Sequence, residues 1–193
     1  MPGVLGYADP LPHRPRRILV AGVSGSGKTT LAARIAAIAD APHTEIDGLH
    51  HGPHWTPRPE FRDDVTALVQ LPSWTTEWQY TAVRPLLSRH ADLLVWLDLP
   101  FAVVVLPRVV TRTLRRRLRR EVLWNGNVEP PLRTFFTDPG HIVRWAIGTR
   151  RAYAPLLTEL ADARPDLPIV RLRTPRHVEA WLSGPLSRAV DGG

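Results

Sequence analysis

A run of residues near the start of the chain has the composition and spacing of a phosphate-binding loop. The run consists of Gly22, Val23, Ser24, Gly25, Ser26, Gly27, Lys28, Thr29 and Thr30. Its first eight residues match the Walker A pattern G-x-x-x-x-G-K-[ST], between an apolar segment (16–22) and an alanine-rich segment (28–40). Glycines let the backbone direct its N–H groups at phosphate oxygens, beside a helix N-terminus that favours anions. The motif therefore predicts a nucleotide-binding site of the P-loop NTPase type.

Two side chains of this loop carry its expected chemistry. The ammonium of Lys28 would reach the β- and γ-phosphates of ATP, and the hydroxyl of Thr29 would ligate Mg²⁺. Lys28 is the only lysine among the 25 lysine and arginine residues of the chain. Because arginine is used everywhere else, this position is expected to need a compact ammonium. ATP and Mg²⁺ are therefore the predicted cofactors.

The segments around the loop alternate between strand and helix patterns, which predicts a parallel three-layer α/β domain. Predicted strands cover 16–22, 43–47, 74–78, 92–98 and 167–173. Predicted helices cover 28–40, 58–71, 83–91, 107–123 and 141–161, with one more after 174. Asp47, Glu77 and Asp98 end three of the strands, so we expect them at the carboxyl edge of the sheet, where ligands bind. Asp98 is expected to cap its strand rather than to act in catalysis.

Composition limits the class of protein. The chain has a net charge of +7, and residues 108–120 account for all of it, with seven arginines and no acid. The absence of cysteine excludes disulfides and thiolate metal sites, and it fits a reducing compartment. Residues 1–15 are proline-rich and contain no apolar signal segment, and the longest apolar run is too short to span a bilayer. We therefore expect a cytoplasmic protein with no membrane partner and with a flexible tail at residues 1–15.

Three further stretches resemble a known group of proteins in their order and spacing. They are HTEIDGLHHGPHWTPRPEFRDDV, WTTEWQY and DLLVWLDLP. Placed after a P-loop, they resemble the nucleoside-monophosphate-kinase-like group, and most closely its adenylate-kinase-related FlaR-like or topology-modulation-type members. The resemblance implies a five-stranded sheet of order 2-3-1-4-5, flanking helices and an arginine-rich helical lid. It also implies a P-loop kinase-like domain at 16–185 with a lid insertion at 107–140, followed by a C-terminal tail at 186–193.

The resemblance assigns roles to two of the strand-end acids. Glu77 stands where the family has the aspartate that holds Mg²⁺, although the longer side chain and Trp78 in place of a glycine depart from the family pattern. The alternative for Glu77 is an ion pair with a nearby arginine. Asp47 stands where similar kinases have an acid that contacts the acceptor of the phosphoryl group. Its alternatives are a metal-binding role and a turn-forming Asp–Gly pair.

The arginine-rich helix has three candidate roles. Its apolar positions recur every four residues, at Val110, Leu114, Leu118 and Val122. As a kinase lid it would bring arginines to the nucleotide phosphates, and the resemblance favours Arg112 and Arg116 for these contacts. The arginines could instead contact a nucleic acid, although no groove-docking motif or interleaved aromatic residue accompanies them. The third role is a solvated basic face.

Two other arginine-containing segments gain roles from the resemblance. Either Arg150 or Arg151 would approach the transferred phosphoryl group. The segment that contains Arg173, Thr174 and Pro175 would pack against the adenine ring. Both segments are therefore expected to border the nucleotide.

A histidine-rich loop follows Asp47. His50, His51 and His54 could line the acceptor pocket together with Trp55 and Arg58. The spacing of His51 and His54 is also tolerable for zinc, although no third ligand with a matching position follows. The remaining interpretation is that these histidines are solvated.

Together these features predict an enzyme. We expect an ATP-binding kinase, a transferase that moves the γ-phosphoryl group of ATP to a small acceptor such as a nucleotide, a nucleoside or a hydroxylated metabolite. The alternative is a nucleotide-dependent regulatory or nucleic-acid-associated P-loop ATPase, in which ATP acts as a switch. A small-molecule acceptor is the expected partner, and a nucleic acid is the less favoured one.

Overall fold

A five-stranded, all-parallel sheet forms the centre of the computed structural model, which describes residues 3–119, 122, 124–127, 146–149 and 151–192. The strands are β1 (Val4–Leu5), β2 (Arg17–Gly22), β3 (Trp74–Glu77), β4 (Leu93–Leu97) and β5 (Ile169–Leu172). Their order across the sheet is β1-β5-β4-β2-β3. Strands β2 and β4 are apolar throughout most of their length because helices cover both faces of a parallel sheet. The parallel α/β fold expected from the sequence is confirmed.

Helices lie on both faces of this sheet. They are α1 (Lys28–Ala39), α2 (Ile46–His50), α3 (Phe61–Val69), α4 (Arg84–His90), α5 (Leu106–Leu118), α6 (Tyr153–Ala163), α7 (Pro175–Trp181) and α8 (Ser187–Asp191). Alternate residues of β2 enter separate cores: Ile18 and Val20 pack with α1, whereas Leu19 packs with α3 and α4. None of the helices within the described ranges is both long and apolar enough to cross a membrane.

The predicted strand at 43–47 is reduced to a single bridge. His43 pairs with Thr75 of β3, and the chain then enters α2 at Ile46. The N–H of Ile46, which would have continued a ladder, donates instead to Oε2 of Glu77 at 3.0 Å. Residues 43–47 therefore lie beside β3 as expected. At Ile46, however, the side chain of Glu77 takes the hydrogen bond that a strand partner would have accepted.

The opposite edge of the sheet holds a strand that was not predicted. Val4 and Leu5 pair with Ile169 and Val170 of β5, so the expectation of a flexible tail at residues 1–15 is corrected for this segment. The half-buried side chains of Val4 and Leu5 pack against the two cores. The pairing satisfies backbone groups of β5 that would otherwise form an exposed edge.

The C-terminal residues are also more ordered than expected. The predicted tail at 186–193 contains α8, which follows a short π-helical segment, Leu182–Leu186. Leu186 is fully buried, and Val190 packs against the same core. Burial of these two side chains against α1 explains why the helical structure continues.

Helix α5 is oriented by the burial of Val109 and Thr113 and not by its apolar stripe. The predicted stripe faces outward, with Leu114 41% and Leu118 80% exposed. The buried positions are Val109 and Thr113, because the backbone of Gly25 leaves room for Val109 against the P-loop. The amphipathic pattern therefore predicted a helix correctly, and its apolar stripe lies on the exposed side.

This orientation predicts unequal effects of two truncations in α5. Val109→Ala should lower the free energy of unfolding by about 2 kcal/mol, because it removes two buried methyl groups and leaves a cavity. Leu118→Ala should change it by less than about 0.5 kcal/mol, because that side chain faces solvent. Chemical denaturation measures both values, and equal losses would contradict the orientation of the helix.

Candidate functional site

The P-loop lies between the end of β2 and the start of α1, and its shape depends on glycine. Gly22 has φ +152°, and a Cβ there would lie 2.7 Å from Oγ of Ser26 and 3.0 Å from the carbonyl oxygen of Leu97. Gly25 has φ +80°, and a Cβ there would clash with Val109. Side chains other than hydrogen are therefore excluded at both positions by backbone conformation and by space.

The ammonium of Lys28 is held inside this loop. The residue is 7% exposed, and Nζ donates a hydrogen bond to the carbonyl oxygen of Val23 at 3.3 Å. Burial lowers the pKa of Lys28 to about 8, with a smaller contribution from Arg112, while the carboxylates of Asp47 and Glu77 oppose the shift. Lys28 is therefore a desolvated cation that an anionic ligand would stabilise.

The buried hydroxyl of Ser26 is a second feature of the loop that suits the phosphates of a nucleotide. The hydroxyl of Ser26 is 1% exposed, and its Oγ has no hydrogen-bond partner among the described residues. A buried polar atom without a partner costs free energy, so a ligand oxygen at this point is expected. Phosphate oxygens would accept from Ser26, from Lys28 and from the N–H groups of the loop.

Glu77 and Thr29 form the part of the site that suits a divalent cation. Glu77 is 2% exposed, and Nε2 of His43 lies 3.3 Å from its Oε1. Burial would raise the pKa of Glu77, but hydrogen bonds from His43, from the N–H of Ile46 and from Thr29 hold it below its ordinary value. The carboxylate is therefore ionised beside the threonine hydroxyl, and these are the oxygen ligands that Mg²⁺ prefers. The partner of Glu77 is a histidine rather than the arginine considered from the sequence.

Mg²⁺ would take few ligands from the protein at this site. Within the described ranges, no group of three or more histidine, aspartate or glutamate residues could hold a metal ion. Mg²⁺ commonly binds one or two protein oxygens and completes its shell with water and phosphate oxygens. Thr29 and Glu77 would be the protein ligands, and the nucleotide would supply the others.

Asp47 belongs to a cluster of polar and aromatic side chains near the P-loop. Its Oδ1 accepts hydrogen bonds from Nε2 of Gln79 at 2.7 Å and from the hydroxyl of Tyr80 at 2.6 Å. His51 Nε2 lies 3.1 Å from the Tyr80 hydroxyl, and the ring of His50 stacks on Tyr80 at 3.9 Å. Gln79 and Tyr80 were not singled out from the sequence. The signal that could have found them is their place in WTTEWQY, directly after Glu77.

Residues 124–127, which follow α5 in the chain, form hydrogen bonds with the residues on both sides of α2. Nε1 of Trp124 donates to Oε2 of Glu45 at 2.7 Å. Asn127 is buried and bridges the loop after α2, because its Oδ1 accepts from the N–H of Trp55 at 3.0 Å and its Nδ2 donates to the carbonyl oxygen of Gly52 at 2.9 Å. The segment 124–127 is thereby joined to the loop that contains the histidines.

The other residues expected in the acceptor loop differ in their surroundings. His54 is exposed and has φ +58°, so it lies away from the contact between His50 and Tyr80. Nη1 of Arg58 lies 3.0 Å from a carboxylate oxygen of Asp64 and also donates to a backbone carbonyl. Arg58 therefore stabilises the start of α3.

A cleft of about 630 Å³ opens on the other side of the P-loop. Arginines of α5 line one wall, namely Arg108, Arg112 and Arg115. Arg34 of α1 and Glu179 of α7 line the far end and form a two-fold ion pair, with both N···O distances 2.6 Å. The cleft therefore combines cations near the phosphate loop with a mixed polar end that is large enough for a nucleoside.

Comparison with solved structures identifies the architecture. The crystal structure of a gluconokinase from Sinorhizobium meliloti 1021 superimposes with a TM-score of 0.51 and 20% sequence identity, over 93% of this chain and 96% of that one. The unliganded structure of a sugar kinase from Janibacter sp. HTCC2649 gives a TM-score of 0.43 at 20% identity, over 92% and 91% of the two chains. No protein-family model matches the chain, and no curated protein matches it significantly.

This chain shares the fold of that gluconokinase structure. The narrower resemblance to FlaR-like or topology-modulation-type proteins stays a prediction.

The fold brings only some of the expected arginines to the cleft. Arg112 lines it, whereas Arg116 is half-buried one turn further along α5 and is not among the lining residues described. Arg151 is exposed immediately before α6, and Arg150 lies outside the described residues. The structure therefore places one of the two predicted lid contacts, Arg112, beside the P-loop.

The three residues expected at the adenine ring lie in two different places. Pro175 lines the cleft of about 630 Å³ beside the P-loop. The hydroxyl of Thr174 accepts from the N–H of His177 at 3.1 Å, so that it caps α7. Arg173 lines a separate cavity of about 370 Å³ between α7 and β1. Only the proline therefore borders the expected position of the nucleotide.

Asp98 has a structural partner. Its Oδ2 accepts from Nε and Nη2 of Arg171 on the neighbouring strand β5, at 2.8 Å and 2.5 Å. The guanidinium of Arg171 also lies over the ring of Trp96, 4.3 Å from its centroid. These contacts agree with a structural role for Asp98 at the end of β4.

The buried charge of Lys28 predicts a conflict between stability and binding. The pKa of Lys28 is about 8 in the folded protein against its usual 10.5, so the folded state disfavours the charged form at every pH below about 8. Lys28→Met should therefore raise the free energy of unfolding of the nucleotide-free protein at pH 7 by about 3 kcal/mol, at about 1.4 kcal/mol per pKa unit.

Thermal denaturation without and with Mg-ATP tests this conflict. The gain in Lys28→Met should fade as pH rises from about 8 towards 10.5, because the folded lysine is then neutral and the cost of removing the proton that the unfolded lysine holds falls to zero near 10.5. Mg-ATP should raise the Tm of the unchanged protein but not that of the variant. A variant that is less stable at pH 7, or that still gains stability from Mg-ATP, would contradict the assignment.

Proposed function

We propose that this protein is an ATP-dependent, Mg²⁺-dependent phosphotransferase that moves the γ-phosphoryl group of ATP to a small acceptor. The observation that carries the proposal is the burial of the Lys28 ammonium within electrostatic range of two kinds of group, carboxylates and an arginine. Its charge interacts with Asp47 of the acceptor pocket and with Arg112 of the nucleotide cleft. A group in that position can hold the phosphoryl group that passes from one side to the other.

The roles of the side chains follow from this arrangement. Lys28 and the N–H groups of the P-loop bind the β- and γ-phosphates, and Ser26 donates a further hydrogen bond. Mg²⁺ held by Thr29 and Glu77 neutralises charge on those phosphates when it is bound. Arg112 adds positive charge from the side of the cleft.

Arg116 and either Arg150 or Arg151 are proposed to complete the charge clamp when α5 moves onto a bound nucleotide. Closure of a lid excludes water, which would otherwise accept the phosphoryl group. Pro175, with the neighbouring Arg173 and Thr174, is proposed to border the adenine ring.

Asp47 is proposed to orient the acceptor. A hydroxyl of the acceptor donates to its carboxylate, and the acceptor oxygen attacks the γ-phosphorus while the bond to ADP breaks. The proton of the hydroxyl passes to Asp47. Because the transition state of phosphoryl transfer is loose, positioning contributes more than removal of the proton.

The acceptor class is a nucleotide, a nucleoside or a hydroxylated metabolite. The gluconokinase that shares the fold adds gluconate and related sugar acids to the compounds that should be tried first. The aromatic and histidine-rich wall formed by His50, His51, Trp55 and Tyr80 supports an acceptor that offers both hydroxyls and an apolar face. A cytoplasmic location stays a prediction.

The arginines of α5 favour a phosphotransferase over a nucleic-acid-associated ATPase. Three of them line the cleft beside the P-loop, where they would contact a triphosphate. The exposed apolar side chains of Leu114 and Leu118 interrupt the basic surface that a nucleic acid would need. The regulatory ATPase is nevertheless a possible outcome of the same experiment.

Purified protein with Mg-ATP should be screened against nucleoside monophosphates, nucleosides and sugar acids, with ADP and phosphorylated product both measured. Asp47→Asn should lower the rate with the productive acceptor by about 100-fold or more while leaving the affinity for ATP unchanged. The matched control is Asp63→Asn, because Asp63 is exposed on α3 and should have no effect. The proposal fails if no acceptor raises ADP formation while DNA or RNA binds at physiological salt.

A further inference from the structure

Tyr80 stands in an unfavourable backbone conformation behind Asp47. Its φ is +57°, a value that bulky side chains rarely adopt, so other contacts must hold it there. The ring stacks on His50 with an interplanar angle of 12° and meets Phe61 edge-on at 5.3 Å. Its carbonyl oxygen also accepts from the N–H groups of Val83 and Arg84, at 3.0 Å and 3.1 Å. These contacts fix the position of the Tyr80 hydroxyl.

The two oxygens of the Asp47 carboxylate have different surroundings. Oδ1 accepts from both Gln79 and Tyr80, at 2.7 Å and 2.6 Å. Oδ2 has no hydrogen-bond partner among the described residues. A carboxylate oxygen that already accepts two short hydrogen bonds is a poor acceptor for a third group, so Oδ2 is the oxygen that remains for a ligand.

The direction of the hydrogen bonds behind Tyr80 follows from the groups present. Ionised Asp47 can only accept, so Tyr80 donates to it, and the Tyr80 oxygen must accept from Nε2–H of His51 at 3.1 Å. Nδ1 of His51 lies 3.4 Å from Nδ1 of His50, and a hydrogen bond between them needs a proton on only one of the two nitrogens. Burial and the neighbouring His51 lower the pKa of His50, which agrees with a neutral ring.

We propose that Tyr80 is a positioning residue, which fixes Oδ1 of Asp47 so that Oδ2 meets the acceptor hydroxyl, and that His51 and His50 hold Tyr80 through a one-way series of hydrogen bonds. The proposal rests on the proposed function, since it concerns the acceptor of that reaction. The acceptor proton moves to Oδ2, the acceptor oxygen forms its bond to the γ-phosphorus, and ADP leaves with the electrons of the broken P–O bond.

Tyr80→Phe is the direct test, because it removes the hydroxyl and keeps the ring that stacks on His50. We expect kcat with the productive acceptor to fall about 10-fold or more, with the KM for ATP unchanged. The double variant Tyr80→Phe/Asp47→Asn should be no slower than Asp47→Asn alone, since Tyr80 acts through Asp47. The matched control is Tyr153→Phe, whose hydroxyl contacts the carbonyl oxygen of Trp78 at 3.4 Å and should not affect kcat.

A second measurement does not depend on activity. Nitrogen-15 correlation spectra of the ligand-free protein, assigned with a His51→Gln variant, should show His51 protonated at Nε2 and unprotonated at Nδ1. Protonation at Nδ1 would overturn the proposed direction of the hydrogen bonds. An unchanged kcat in Tyr80→Phe, while Asp47→Asn still inactivates, would overturn the positioning role and leave the proposed function intact. Failure of the proposed function would give a different result: the protein without substitutions would form no phosphorylated product with any acceptor.

Discussion

The burial of one ammonium group inside a glycine-rich turn is the constraint on which the rest of the site depends. Lys28 is almost completely shielded from water, and its Nζ has the carbonyl oxygen of Val23 as a hydrogen-bond acceptor. Desolvation of a cation is costly, and nearby carboxylates offset only part of that cost. The fold therefore keeps a destabilised charge in place, as is typical of a site that a polyanionic ligand completes.

This loop also sets the positions of the elements around it. Gly25 has no side chain, so α5 packs directly on the loop through Val109, and Arg112 on the same helix reaches the electrostatic range of Lys28. On the other side, Glu77 takes the N–H of Ile46 and thereby ends strand pairing, so that the chain turns into α2 and presents Asp47. The cleft beside Gly25 and the polar cluster around Asp47 are thus built from contacts that begin at the same loop.

The parts of the site that were predictable are those set by short-range patterns. The glycine-rich loop, the parallel sheet and the position of Glu77 at the end of β3 follow from motif spacing and from the alternation of strands and helices, whereas Asp47 lies in α2 instead of at the end of a strand. The buried face of α5 was not predictable in the same way, because Val109 packs into a core cluster and against Gly25, which is far away in the sequence. The same holds for β1, whose two residues pair with β5 across more than 160 positions of the chain. Tyr80 was missed because its contacts with Asp47 and His51 join residues that are 33 and 29 positions apart.

The most direct test of the account uses the composition of the chain. Lys28 is its only lysine, so protein labelled with ¹³C and ¹⁵N in lysine gives one side-chain ammonium signal. Titration by nuclear magnetic resonance should give a pKa of about 8 without nucleotide, and Mg-ATP should raise that pKa because phosphate charge stabilises the ammonium. A pKa near 10.5 that does not respond to Mg-ATP would show that Lys28 is solvated and binds no phosphate, and it would contradict the account.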